Sequence, residues 1–286
     1  MLTAVCTLLL LLAGALVVGT RSSLSVPDWP LSFGQVMPEM TGGVFYEHGH
    51  RMVATLVGFL TLVLAVWLWR SEPRAWVRQL GGVALIAVIL QGVLGGITVL
   101  YLLPAPISIM HACLAQLFFC ICLTLALVTS SYWDAPALPL MDYGSPAFRY
   151  VGVAATASVF LQLITGAGLR HRVFSVIPHI STALLVCFLV GWAVLRAMRL
   201  REQKPFQQIA MGLGIMLALQ VMLGLFSYFS REAHAGMPGP GPLVVWTTSA
   251  HLVTGALLLG LSWTLTLLAF RRSAGTMNLR DVSGAK

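Results

Sequence analysis

Four of the seven histidines share an address. His50, His111, His179 and His251 each stand near the start of a long apolar segment, the second, fourth, sixth and eighth of the chain. An ionisable side chain in such a run is expensive to bury unpaired and marks function by default. Two histidines on facing helices of one bundle are the donor set that grips a haem iron from both sides. The residue four positions on is small in every case: Ala54, Ala115, Ala183 and Gly255. Positions i and i+4 share a helix face, so the spacing leaves room for a flat macrocycle, although small residues also favour helix packing. Interfacial or helix-bonding histidines are the alternative reading. Zinc is a weaker one, because no Cys or carboxylate shares a face with three of the four. His171 and His234 fall in connecting loops and read as solvated; His48, two residues from His50, points elsewhere.

A second group lies in the longest connection, residues 21–49, which carries Pro27-Asp28-Trp29-Pro30 and ends in Glu47-His48-Gly49-His50-Arg51. Glu47 and His50 are spaced i, i+3 and share a face if the helix begins just before Glu47. A carboxylate beside a haem edge accepts a proton or stabilises positive charge developing on an oxidised substituent; a solvated loop acid is the alternative. Arg51, Arg170 and Arg172 read either as partners of haem propionates or as snorkelling interface residues. Gln91 and Gln220 read as hydrogen-bonding between neighbouring helices.

The elements that must position these residues follow from hydropathy. A helix crossing the hydrocarbon core needs about 20 mostly apolar residues. Eight segments qualify, at about 2–20, 50–69, 79–101, 107–130, 149–168, 176–195, 206–229 and 246–270. Of the 286 residues, 58% are hydrophobic and 9% charged, against about 25% charged in a soluble domain. That composition excludes a soluble enzyme and a disordered chain. The net charge of +8, without a run of basic residues, excludes a nucleic-acid partner. The expected fold is an all-α polytopic membrane protein of eight transmembrane helices, surrounded by lipid. The first segment, lacking a basic leader and a clear cleavage site, reads as a retained helix.

Orientation follows the basic residues. Twelve of 17 (Arg70, Arg74, Arg78, Arg149, Arg196, Arg199, Arg201, Lys204, Arg271, Arg272, Arg280 and Lys286) fall on one side, and Arg21, Arg51, Arg170, Arg172 and Arg231 on the other. The bias puts both termini in the cytoplasm and the four histidines near the outer face of the cytoplasmic membrane. The cysteines (Cys6, Cys113, Cys120, Cys122, Cys187) all lie inside spans, which reads as core packing without disulfides.

The chain repeats itself at an offset of 129 residues: Leu90-Gln91-Gly92-Val93-Leu94-Gly95 aligns with Leu219-Gln220-Val221-Met222-Leu223-Gly224, and His50 with His179. Spans 1–4 and 5–8 therefore read as two homologous four-helix bundles. The corresponding division is 1–130, a linker at 131–148, 149–270 and a tail at 271–286. An even number of spans in each half makes the repeat parallel rather than inverted. The second half carries a Gly/Pro-rich insertion at 236–242. It has Val176 where the first has Glu47, so only one half carries the acid.

These residues resemble the haem A synthase family over about 20–270. The likeness rests on Pro27-Asp28-Trp29-Pro30-Leu31-Ser32-Phe33-Gly34, on Glu47-His48-Gly49-His50-Arg51, on His111-Ala112-Cys113-Leu114-Ala115-Gln116, and on His179 and His251. The resemblance implies oxidation of a methyl group of haem O to a formyl group, giving haem A. It implies substrate haem O between His50 and His111, a haem b between His179 and His251 for electron transfer, and Glu47 as the catalytic acid. Haem O synthase, terminal oxidase subunits and an unidentified electron acceptor are the implied partners. Many bacterial members carry a cysteine pair in the first outer loop; here Val26 and Ser32 stand in that neighbourhood, so no thiol mechanism is available there. A two-haem electron carrier of the cytochrome b type and a non-catalytic haem-handling oxidase assembly factor are the competing readings. The lone acid and the long loop favour the enzyme.

Overall fold

The computed structural model describes residues 1–136, 140, 142, 144–200 and 204–283, with the backbone alone for residue 205 and residues 273–283. Among the described residues the helices are α1 (Leu2–Gly19), α2 (Gly42–Ser71), α3 (Ala75–Leu100), α4 (Ala105–Val128), α5 (Ser131–Asp134), α6 (Phe148–Arg170), α7 (Val176–Met198), α8 (Lys204–Ala233) and α9 (Pro242–Ser283). A single bridge between Ser32 and Gln35 is the nearest approach to a strand. All but α5 are long and apolar enough to cross a membrane, and the chain is a multi-pass membrane protein. Arg201 and Lys286, counted above for orientation, and Pro139 of the linker lie outside the described residues.

Helices are the expected answer in hydrocarbon, where each backbone N–H and C=O must be satisfied within the segment. The outward faces are apolar: Leu62, Val63 and Val66 on α2, Ile86 and Ile89 on α3, Leu184 and Phe188 on α7 are all exposed. An exposed apolar surface of this extent is stable only against lipid. At the α2–α3 turn the exposed Trp67, Trp69 and Trp76 accompany Arg70, Arg74 and Arg78, the residue types that sit at headgroup depth. Glu72 caps this turn, with Arg74 Nε donating to its Oε1 at 2.6 Å and Nη2 to its Oε2 at 3.0 Å. Those hydrogen bonds hold its carboxyl down at about 2.

Two boundaries differ from the hydropathy reading by eight residues or more. Helix α2 begins at Gly42, eight residues before the apolar run. Residues 42–49 are too polar and glycine-rich to register as a span, yet they are helical because the first loop covers them. A Cβ at Gly43 would lie 2.0 Å from Ser25 Oγ, so the loop rests directly on the helix backbone. The other difference is α9, which continues helically to Ser283, through most of the expected tail.

The chain divides into two compact units, Met1–Ala126 with Gln220–Ala256, and Leu127–Leu219 with Leu257–Lys286. In the first, Leu11 of α1, Phe119 of α4 and Ala256 of α9 form a buried core against which Leu8, Ala115 and Leu123 pack. In the second, α6 and α9 are clasped by hydroxyls: Thr156 Oγ1 is 2.8 Å from Ser262 Oγ and 3.0 Å from Thr266 Oγ1. Such interhelical bonds contribute about 0.6–2 kcal/mol in a membrane. Ahead of α6, Asp142 Oδ2 accepts the Phe148 N–H at 2.6 Å, and Asp142 is itself paired with Arg196 of α7. All five cysteines are free thiols.

Candidate functional site

Each of the four histidines lies against a glycine of the helix that precedes it in the chain. A Cβ at Gly14 would come within 3.2 Å of His50 Cε1, at Gly95 within 3.2 Å of His111 Cε1, at Gly166 within 3.0 Å of His179 Cε1, and at Gly224 within 3.1 Å of His251 Cε1. In every case Nδ1 is the next atom out. One turn before each glycine stands a residue whose carbonyl the helix directs along the same face: Leu10, Gln91, Gln162 and Gln220. The rings of His50, His111 and His179 hydrogen-bond to the carbonyls of Leu10, Gln91 and Gln162 respectively. The absence of a Cβ is what lets an imidazole approach the helix closely enough to make that bond.

The glutamine side chains add to the cradle. Gln91 Nε2 lies 3.4 Å from His111 Nε2 and donates to the His111 carbonyl at 3.0 Å. Gln162 Nε2 lies 3.1 Å from His179 Nδ1 and donates to the His179 carbonyl at 3.1 Å. Gln220 Nε2 is 3.3 Å from His251 Nε2. Around His179 two hydroxyls join in: Thr165 Oγ1 is 3.4 Å from Nδ1 and 2.9 Å from Thr182 Oγ1, and Thr182 bonds Gln162 Oε1. The sequence repeat contains Gln91, Gln220, Gly95 and Gly224 without showing their use, and it leaves out Gln162, Gly14 and Gly166. The signal was present, for Leu-Gln-x-x-x-Gly occurs at 90–95, 161–166 and 219–224. The middle copy escaped notice because it falls outside the offset of 129. The small residue after His251 has a different use from the one expected: a Cβ at Gly255 would lie 3.1 Å from Gln220 Nε2, so the space there holds the glutamine amide.

The fit to a haem can be tested on the first unit. His50 Nδ1 and His111 Nδ1 are both buried without a hydrogen-bond partner. A neutral imidazole that spends one nitrogen on a backbone carbonyl and keeps the other buried and unpartnered is prepared as a metal ligand; which nitrogen is which is a tautomer and flip assignment. Left unmet, each such atom would cost about 1–3 kcal/mol. Among the described residues no three His, Cys, Asp or Glu side chains converge, so the histidines offer themselves singly from separate helices. The donor chemistry fits a haem iron, which these imidazoles would hold.

Glu47, three residues before His50, faces the first loop. It is buried; Oε2 accepts the Val26 N–H at 2.9 Å and Oε1 accepts from Arg51 Nη2 at 2.8 Å. Arg51 Nη1 donates to the carbonyls of Asp28 at 2.7 Å and Leu31 at 2.8 Å. The Glu-x-x-His-Arg element therefore divides: His50 serves the α1 cradle, while Glu47 and Arg51 strap the loop to α2. His48 is buried too, with Nδ1 2.8 Å from Ser32 Oγ. Asp28 closes the loop from within by accepting the N–H groups of Phe33 at 2.7 Å and Gly34 at 2.8 Å, and these bonds lower its pKa. They also offset the left-handed φ of 53° at Phe33, which costs roughly 1–2 kcal/mol for a residue with a Cβ. Trp29 lies on α3, where a Cβ at Gly96 would meet the indole at 2.6 Å. Val26 and Ser32 are fully buried and hydrogen-bonded to Glu47 and His48.

The two loop histidines are less solvated than their positions imply. His234 donates from Nδ1 to the Ser230 carbonyl at 2.9 Å and packs on Gly241. His171 caps α6, and partial burial together with the neighbouring Arg170 pushes its pKa down.

Comparison with known proteins gives the family. A family model described as cytochrome oxidase assembly protein (COX15-CtaA) matches residues 1–177. A protein named heme A synthase from Halalkalibacterium halodurans is 30% identical over 179 residues, covering 59% of this chain and 57% of that protein. One of the same name from Lysinibacillus sphaericus is 32% identical over 176 residues, covering 59% and 56%. One from Bacillus licheniformis is 26% identical over 259 residues, covering 80% and 85%. In the first of these alignments the chain spans little more than half the length of its relative. With the family model covering well over half of the chain, through the loop clamp and the first three histidine-facing helices, the protein belongs to the COX15-CtaA family of cytochrome oxidase assembly proteins.

Proposed function

We propose that this protein is an oxidoreductase of haem A biosynthesis that converts a methyl group of haem O to a formyl group, a four-electron oxidation that takes up one oxygen atom and passes the electrons to an acceptor outside this chain. The observation that carries the reading is the pair His50 and His111, each with one buried, unpartnered ring nitrogen, with the buried carboxylate of Glu47 one turn from His50. The relatives named heme A synthase support the choice of substrate. Haem iron supplies the redox chemistry. The chain's own residues do the rest: His50 and His111 hold and orient the substrate macrocycle, and Glu47 accepts a proton or offsets positive charge at the substituent being oxidised. Arg51 and the Val26 N–H keep that carboxylate in one orientation, and the strapped loop keeps water from the outer end of α2. Arg51 serves substrate binding through this loop rather than from an isolated guanidinium.

A second haem, of b type and held by His179 and His251, rests on the sequence repeat and the family resemblance. The same two supports carry the two four-helix repeats, the cytoplasmic placement of both termini in the inner membrane, and haem O synthase and terminal oxidase subunits as partners. Four similar cradles would also suit a two-haem electron carrier; the carboxylate beside one histidine alone favours the enzyme. Expression with and without a source of haem O, followed by extraction and identification of the haems, tests the reading. Hydroxylated or formylated haem is expected when haem O is supplied, and its complete absence would overturn the proposal.

A further inference from the structure

Three of the four cradles place a glutamine one turn before the glycine and one does not. At Gln91, Gln162 and Gln220 the side-chain amide lies within 3.4 Å of a ring nitrogen of its histidine. In α1 the corresponding position is Leu10, and the ring of His50 is met by the Leu10 backbone carbonyl and the Gly14 surface. Because the amides of Gln91 and Gln162 donate to the histidine backbone while touching the ring, they tie ring and helix together. Swinging the imidazole away breaks contacts that water cannot replace at this depth. Leu10 has no donor, so rotation of His50 disrupts dispersion contacts and one carbonyl bond.

We infer that Gln91, Gln162 and Gln220 are positioning residues that hold their histidines in a ligating pose. It follows that Leu10 makes His50 the ligand which gives up its place on the iron to a small exogenous molecule. The inference rests on the haem reading above and deepens it, because it distinguishes two histidines which that reading treats alike. A substrate haem must enter and leave, and releasing one imidazole more readily than the other gives that exchange a direction. Partners behind a metal-bound histidine typically alter affinity by about 10–100-fold, so moving one glutamine has a readable consequence.

The test uses the full-length, haem-loaded protein in detergent, with the low-spin haem spectrum and a carbon monoxide titration of the reduced protein as readouts. Leu10→Gln is expected to weaken carbon monoxide binding about fivefold or more, and Gln91→Leu to strengthen it by no more than about twofold, because His50 already yields in the parent. The double variant Leu10→Gln/Gln91→Leu moves the restraint from one side of the haem to the other and should return affinity to within about threefold of the parent. A general loss of packing would not produce that return. If Leu10→Gln holds no haem, the shorter amide of Leu10→Asn takes its place: weaker carbon monoxide binding upholds the inference and an unchanged titration overturns it. A parent protein without a low-spin, histidine-ligated haem defeats the functional reading and this inference together. A parent with that haem, and variants that titrate like it, defeats the inference alone.

Discussion

His50 and His179 occupy matching positions in the repeat and the same glycine cradle, yet their surroundings differ in kind. Around His179 the polar atoms crowd the ring: Gln162, Thr165 and Thr182 all bond within the cradle, and the connection from α6 to α7 spans only residues 171–175. Around His50 the ring is met by a leucine carbonyl and a glycine, and the polar atoms have moved one turn outward into Glu47, Arg51 and the long loop. One copy is built to hold a ring still. The other leaves the ring to packing and builds a buried carboxylate under a strapped loop. The surroundings of the two histidines thus differ chemically through one leucine, one acid and one long loop.

Removing the histidines sharpens the contrast most. His50→Ala or His111→Ala is expected to abolish haem at the first site, and His179→Ala or His251→Ala to remove the low-spin signal of the second; haem content and optical spectra check both. Glu47→Ala should retain haem and stop its conversion, measured by extracted haem composition; Val176→Ala, at the matching position, should leave conversion intact. If both variants convert haem normally, the asymmetry has no chemical meaning.

Smaller effects report on how the two regions are held. Arg51→Leu leaves the Glu47 carboxylate buried and unpaired, with an expected cost of about 3–5 kcal/mol, read as a fall in thermal stability and as proteolytic cutting within residues 26–34. Gly166→Ala places a methyl group 3.0 Å from the His179 ring and should cost roughly 1–3 kcal/mol by overpacking, accompanied by a shifted haem spectrum. Glu72, held at about 2 by Arg74 against an ordinary 4.5, provides the smallest effect and a control. A carboxyl depressed in the folded state stabilises above its unfolded pKa and loses that contribution as pH falls through the folded one. Glu72→Gln should therefore flatten the stability profile between about pH 4.5 and 2 and leave the haem spectrum untouched.

The sequence by itself determined the class, the spans and the four histidines. Each follows from local composition: a run of about 20 apolar residues has few options other than a helix in lipid, and a histidine at that depth is conspicuous. It also made the loop element and Glu47 visible, through the single position where the repeat holds Val176 instead. The start of α2 at Gly42 was not legible, because residues 42–49 owe their helicity to the loop lying on them rather than to hydropathy. Nor was the division of Glu-x-x-His-Arg, in which Arg51 reaches carbonyls 20 and 23 residues away in the chain. The glycine cradles belong to the tertiary structure for the same reason. A glycine in a helix is unremarkable until a neighbouring ring fills the place of its missing Cβ, and Leu10 becomes informative only when three glutamines are found at the matching place on other helices.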